Sequence, residues 1–199
     1  MIRRLRNEAG QAAPLYITAV TGLLFLALIF FAFGEGDVKR NGAQSAADSA
    51  ALAAAKESRS LLKLDLKAHV MDRAYYIAVF NAPFVGFDGC VNAMSFAAQN
   101  DSTARCRGLY DGRWGYHVVA KSNKRMTANL VPGVKGKRAE AEATSEVINR
   151  CKFVPNPDLT STSIGTVFCK SGLVWVVSPK DLATMPDMTQ LFDVRLVED

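Results

Sequence analysis

Four cysteines are the residues best placed to do covalent chemistry in this chain: Cys90, Cys106, Cys151 and Cys169. No two stand as C-x-x-C, which argues against a structural zinc site. All four lie downstream of a long apolar run, and an even number on an exported segment predicts two disulfides. Four cysteines allow three pairings; the sequence-local one, Cys90 with Cys106 and Cys151 with Cys169, is the preferred expectation. Each bridge would add about 2–4 kcal/mol by restricting the unfolded chain. The only histidines, His69 and His117, have no carboxylate or cysteine at ligand spacing and read as surface or partly buried side chains. No G-x-S-x-G, H-E-x-x-H or dinucleotide fingerprint occurs. Gly136-Lys137 fails as a phosphate loop, because Val131 stands at the first glycine and Arg138 at the Ser/Thr. Asn100-Asp101-Ser102 fits a glycosylation sequon, which matters only in a eukaryotic secretory pathway. Trp114 and Trp175 read as core aromatics. Nothing here assembles a nucleophile with a base, so no enzyme, cofactor, metal or small-molecule substrate is indicated.

The elements that would position these residues begin with the apolar run. Ala12 to Phe33 carries no charge and is long enough to cross a bilayer core, which needs about 20 residues. Pro14 falls in the first turn, where its missing N–H costs nothing. Arg3, Arg4 and Arg6 precede the run and Glu35 and Asp37 follow it, although Lys39 and Arg40 blunt the contrast. The positive-inside bias therefore places the N-terminus in the cytoplasm and everything after about residue 34 outside. A cleaved signal peptide, with Ala32-Phe33-Gly34 as its exit, competes with this reading, as does a buried core helix. The net charge of +5, partly spent in the basic leader, is too weak and scattered for nucleic acid.

Beyond Gly34 and Gly36 the sequence predicts a second helical stretch, Asp37 to Phe80, ended by Pro83. Its first half is rich in alanine, the best helix former. Ala43, Ala46, Ala47, Ala50 and Ala54 form a stripe at i, i+3, i+4 spacing. That stripe is either an intramolecular packing face or a face for assembly with a partner helix. The rest predicts a short helix over Cys90 to Gln99, with Val91, Met94 and Ala98 on one side. It also predicts a strand over Tyr116 to Met126 and a turn over Val131 to Lys137. Arg138 to Ile148 alternates strictly and reads as a strand, though its residues also favour helix. Pro155 to Ser163 is a loop. Thr166–Phe168 pairs with Leu173–Val177 through Lys170-Ser171-Gly172, and Phe192, Val194 and Leu196 form a last strand. The fold class is α+β: a long N-terminal helix, transmembrane and then extracytoplasmic, followed by a small, mostly antiparallel sheet domain with one or two helices. The expected divisions are a cytoplasmic leader over 1–11, a transmembrane helix over 12–33, an Ala-rich helix over 34–82 and a disulfide-stapled domain over 83–199.

Three stretches carry a family likeness: Ala9-Gly10-Gln11-Ala12-Ala13-Pro14-Leu15-Tyr16-Ile17, the apolar run, and Arg40-Asn41-Gly42-Ala43-Gln44-Ser45-Ala46-Ala47-Asp48-Ser49-Ala50-Ala51-Leu52-Ala53-Ala54-Ala55. Together they resemble the TadE/TadG-like pilus-assembly proteins, in the actinobacterial TadG-related version. The AQxAADxAALAAA pattern after a span is the most specific part, and looser similarity continues through Ala139–Cys151 and Leu191–Leu196. The resemblance implies a non-catalytic minor pseudopilin or assembly factor of a Flp/Tad-type pilus or related secretion system. Its partners would be the membrane, other pilin-like proteins, the major pilin and the inner platform. One departure stands out. A pilin-like cut between Gly10 and Gln11 would put Leu15 where such precursors carry a glutamate, and Pro14 lies between. That places processing in question and suits an anchored assembly factor better than a filament subunit. Two rival functions remain: a secreted, disulfide-stapled binding module released by signal cleavage, and a cell-envelope enzyme built around His117 or the Pro155 loop.

Overall fold

The computed structural model describes residues 12–84, 86–126 and 136–198. Helix α1 runs unbroken over Ala12–Ala68, 57 residues, about 86 Å at 1.5 Å per residue. Its sequence has no interior proline beyond the first turn, and alanine dominates its upper half, so nothing local stops it. A turn follows, and helix α2 covers Arg73–Asn81. The break at residues 69–72 is sharper than the predicted single helix to Phe80. Asp72 makes it: the residue sits in extended backbone and its carboxylate accepts from the Tyr75 amide at 3.0 Å, the arrangement of an N-cap. The Tyr75 hydroxyl donates back to Asp65 on α1, and His69 stacks on the Tyr75 ring at 4.4 Å. α2 ends where expected, with Ala82 extended ahead of Pro83.

Helix α3 (Cys90–Gln99) buries Ala93 and Ala97. The side carrying Val91 and Met94 faces outward: Val91 is 72% and Met94 51% exposed. Against α1 only the smallest side chains fit, because the two backbones approach closely. A Cβ added at Gly89, the residue capping α3, would lie 1.9 Å from the Ala54 carbonyl oxygen.

Among the described residues seven strands follow, in two antiparallel sheets rather than one. β1 (Ser102–Gly108), β2 (Gly115–Arg125), β3 (Arg138–Asn149) and the C-terminal β7 (Phe192–Val197) form the first, in the order β1-β2-β3-β7. β4 (Cys151–Pro155), β5 (Gly165–Cys169) and β6 (Val174–Val177) form the second, in chain order. A 3-10 turn over Pro179–Thr184 and the short helix α4 (Met188–Leu191) lead into β7. The ambiguous segment 138–149 is a strand. Ala139, Ala141, Ala143, Ser145 and Val147 face α1, while Arg138, Glu140, Glu142 and Glu146 face away. In a helix the same period-two pattern would bury charge. β1 and β4 escape the sequence reading: β1 is a polar edge strand, and β4 is five residues long and ends in proline.

The five alanines of the stripe, Ala43, Ala46, Ala47, Ala50 and Ala54, have no exposed surface. Ala43, Ala46 and Ala47 lie under the chain's own sheet, opposite Ala120, Ala139, Ala141 and Ala143, while Ala50 and Ala54 belong to the larger core. Further along, Ser145 Oγ donates to the Ala51 carbonyl at 2.7 Å. The stripe is thus occupied within the chain and is not a free face for a partner helix. The larger core lies beyond it. Leu62, Leu66, Tyr76, Phe80, Phe153, Trp175 and Phe192 gather α1, α2 and both sheets into one cluster. Tyr76 stands 5.4 Å from Phe153 and 6.2 Å from Trp175, ring centre to ring centre, and Trp114 meets Phe192 edge-on at 5.4 Å. Residues 43–81 therefore share a core with the region after Pro83.

Ala47→Leu adds three carbons where two backbones meet, and should destabilise the chain by about 1–3 kcal/mol. The check is thermal unfolding in detergent, and an unchanged midpoint would contradict this contact. A second expectation concerns alkaline pH. Burial is the leading cause raising the hydroxyls of Tyr75, Tyr76 and Tyr116 above the ordinary tyrosine range. Each stays neutral in the fold. Stability from these groups is full below the unfolded tyrosine pKa of about 10, and is lost as pH rises from there through the higher folded values. Their phenolate absorbance should appear together with the loss of near-UV circular dichroism. Ionisation of all three with the dichroism intact would contradict their burial.

Candidate functional site: a bare apolar helix continuous with a stapled domain

The lower part of α1 has the composition and exposure of a membrane span. Residues Ala13–Phe31 have a mean hydropathy of 2.2, and none of this window is buried inside the chain. Leu15, Leu23, Phe25, Leu28 and Phe30 all stand exposed, on every side of the helix. An apolar surface of this extent needs a non-aqueous neighbour. Nineteen residues rise about 28 Å, close to the 30 Å or so of a hydrocarbon core. The two threonines of the window are satisfied within the helix. Thr18 Oγ1 donates to Pro14 O at 2.8 Å and Thr21 Oγ1 to Ile17 O at 2.7 Å, as a medium without water requires. Gly10, Gln11 and the basic leader lie outside the described residues.

Between Phe31 and Ala43, among the described residues, Asp37, Val38 and Arg40 are exposed, and a Cβ at Gly34 or Gly42 would meet no described atom. This stretch rises about 18 Å. At Ala43 burial begins, so the same helix that forms the apolar segment becomes the spine of the folded domain.

The cysteines staple that domain. Cys90 bonds Cys106, tying the start of α3 to β1, with Cα atoms 5.5 Å apart. Cys151 bonds Cys169, its register partner across the β4–β5 ladder. Both bridges close short loops, with sequence separations of 16 and 18.

The rest of the chemistry-bearing residues are placed structurally. His69 Nδ1 lies 2.9 Å from the Asp65 carbonyl oxygen at the end of α1. Strand pairing brings His117 beside Thr144, with Nδ1 3.0 Å from Oγ1, and beside Glu142, with Nε2 3.6 Å from the carboxylate. Hydroxyl, imidazole and carboxylate in that order resemble a nucleophile with its base. Thr144, however, is 2% exposed, which closes its hydroxyl to a substrate. Residues 117 and 144 face each other across β2 and β3, a proximity that only the register reveals. A cleft of ≈ 230 Å³ lies between α2 and β3, near Phe84, Trp114 and Phe192. Its charged groups, Arg113 and Glu146, are bonded to each other. The Trp114 indole donates to Ser58 Oγ at 2.8 Å. These groups hold the fold together.

Removing either bridge, by Cys90→Ser with Cys106→Ser or Cys151→Ser with Cys169→Ser, should cost about 3 kcal/mol for loops of this length. Thermal unfolding of the two double variants measures this. A peptide map without reductant should show residues 90 and 106 linked, and 151 with 169; any other pair would overturn this connectivity.

No curated protein and no solved structure matches the chain. Residues 10–57 match the family model described as "Putative Flp pilus-assembly TadE/G-like". The match takes in the apolar helix and the buried alanine stripe, and ends about four-fifths of the way along α1; over these residues the chain is similar to the Flp pilus-assembly TadE/G-like family.

Proposed function

We propose that the chain is a non-enzymatic, membrane-anchored minor pseudopilin or assembly factor of a Flp/Tad-type pilus or related secretion system. The observation that carries this reading is the TadE/G-like match over 10–57, placed on a helix whose lower part is bare and apolar and whose upper part is the core of a folded domain. The N-terminus lies in the cytoplasm and the domain outside, in keeping with Arg3, Arg4 and Arg6 ahead of the span. Two short-loop disulfides suit an oxidising compartment.

Partner contacts in this reading fall on surfaces other than the alanine stripe. A partner helix in the stripe would have to displace the sheet and leave Ser145 without its bond to Ala51. The span itself remains free for packing inside the membrane. Gly22 and Thr21 give it small side chains, the kind through which helices associate in lipid. The protein acts by holding a rigid domain at a fixed distance from the bilayer, where it meets other components of the assembly.

Deleting the gene in cells that carry the rest of the apparatus should abolish surface pili, as counted by electron microscopy. The full chain should restore them. A chain carrying Leu24→Arg should not, because a charge at mid-span costs about 2.5–3.5 kcal/mol on insertion scales. Pili in normal number after deletion would refute the assembly role.

A further inference from the structure

We infer that the end of the β2–β3 hairpin, together with Arg40 on α1, forms a basic collar that binds anionic phospholipid headgroups and so sets how the domain stands on the bilayer. The inference rests on the reading of residues 13–31 as a membrane span.

The hairpin leans along α1 toward that span. Ala139 at the start of β3 and Met126 just past the end of β2 pack with Ala43, whereas Ser145 reaches Ala51. The strand thus climbs away from the span as its numbers rise, and its first residues are the ones nearest the membrane. Those residues are basic. Arg125 and Arg138 stand directly opposite each other across the ladder. Lys137 precedes Arg138, its carbonyl accepting from the Met126 amide at 2.9 Å. Arg40, Lys137 and Arg138 line one open groove of ≈ 710 Å³ between helix and hairpin.

Like charges set directly opposite on a sheet are destabilising, and this pair has no carboxylate to offset it. Four other basic side chains of the same sheet are paired. Lys121 lies 3.3 Å and Arg105 3.5 Å from Glu140, Lys124 2.6 Å from Asp101, and Arg195 3.9 Å from Glu146. Among the described residues, Arg40, Arg125, Lys137 and Arg138 form no ion pair with any carboxylate. Glu140 and Glu142 border the groove. Glu140 is engaged by Lys121 and Arg105, and Glu142 lies 3.6 Å from His117 Nε2. Asp37, one turn below Arg40, is the acidic group of the helix nearest this end whose side chain is described. Four cations therefore outnumber three carboxylates, one of which is already shared by two other cations.

The height of the collar matches a headgroup layer. Arg40 lies nine residues past Phe31, the end of the span, about 14 Å along the helix. The polar layer of a bilayer extends about 5–7 Å beyond the hydrocarbon on each side. The remaining gap is comparable to the ~8 Å screening length of physiological salt, and arginine and lysine stems can lean across it. Attraction of juxtamembrane basic groups to anionic lipid acts over this range.

The test reconstitutes the full chain into nanodiscs of phosphatidylcholine alone, or with about three lipids in ten replaced by phosphatidylglycerol, and follows amide hydrogen exchange. In the anionic discs, peptides covering 37–44 and 136–141 should exchange about threefold more slowly. The difference should vanish in about 0.5 M sodium chloride. It should also vanish in the variant R40Q/R125Q/K137Q/R138Q, and survive in R107Q/K152Q/K170Q/K180Q, which removes as much charge from elsewhere. Span peptides over 13–31 report the underlying reading separately, since they should be protected in both discs. Protected span peptides with no lipid-dependent change at the hairpin would overturn the collar and leave the anchor standing. Unprotected span peptides would overturn both. The same slowing in phosphatidylcholine discs with added inorganic phosphate would overturn a lipid surface in favour of a soluble anion.

Discussion

The architecture depends on one contact, the face-to-face burial of small side chains between α1 and the four-stranded sheet. Ala43, Ala46 and Ala47 lie against Ala120, Ala139, Ala141 and Ala143. Methyl groups on both faces let a helix and a sheet approach closely, and Ser145 adds a hydrogen bond to the helix backbone. Each alanine buries little surface, so the contact gains its strength from area and fit rather than from any one residue. Its intolerance of larger side chains fixes the height of the domain on the helix. Sliding the sheet toward the span would set it against Gly42, Asn41 and Arg40, and sliding it the other way would bring it onto Leu61, Leu62 and Leu64.

Everything further from the span is built around larger residues. The turn at 69–72 folds α2 back so that Tyr76 and Phe80 reach Phe153, Trp175 and Phe192. That aromatic cluster joins the second sheet to the first, and the last strand closes it by pairing with β3. The two halves of the domain thus obey different packing rules. Small residues set distance near the membrane, and bulky ones supply most of the apolar burial beyond it. The disulfides sit away from the alanine contact. One pins α3 to the sheet edge and the other closes the second sheet.

What was legible in the sequence follows the strength of local signals. The apolar run, the alanine-rich helix, the alternation from Arg138 to Asn149 and the β5–β6 turn at Gly172 each carry a pattern that one element alone explains. The misses are places where neighbours decide. The side of α3 that faces inward is set by how close α1 comes, so Ala93 and Ala97 are buried while larger Val91 and Met94 are left outside. β1 is polar and exists because β2 offers an edge. The break near Asp72 has no glycine or proline to announce it, only a capping side chain and a tyrosine that reaches back to Asp65. The grouping of His117, Glu142 and Thr144 depends on strand register, which a single sequence does not state. The alanine stripe was visible as a contact face, but its occupant, a sheet far later in the chain, was not.

A single helix that is both anchor and core has a mechanical consequence. In a protein tethered by a flexible linker, the domain samples many orientations and any surface can meet a partner. Here the backbone hydrogen-bond ladder of α1 is continuous from Ala12 to Ala68, and the domain is packed directly onto it. Motion of the domain relative to the span must bend the helix, and the stretch between Phe31 and Ala43 is where that bending costs least. It contains Gly34, Gly36 and Gly42, each about 1 kcal/mol less favourable in a helix interior than alanine. A charged collar touching the bilayer at the upper end of that stretch would oppose such bending. The orientation of the domain is then governed at two points, the span below and the collar of Arg40, Arg125, Lys137 and Arg138 above, with the glycine-bearing segment between them as the part that yields.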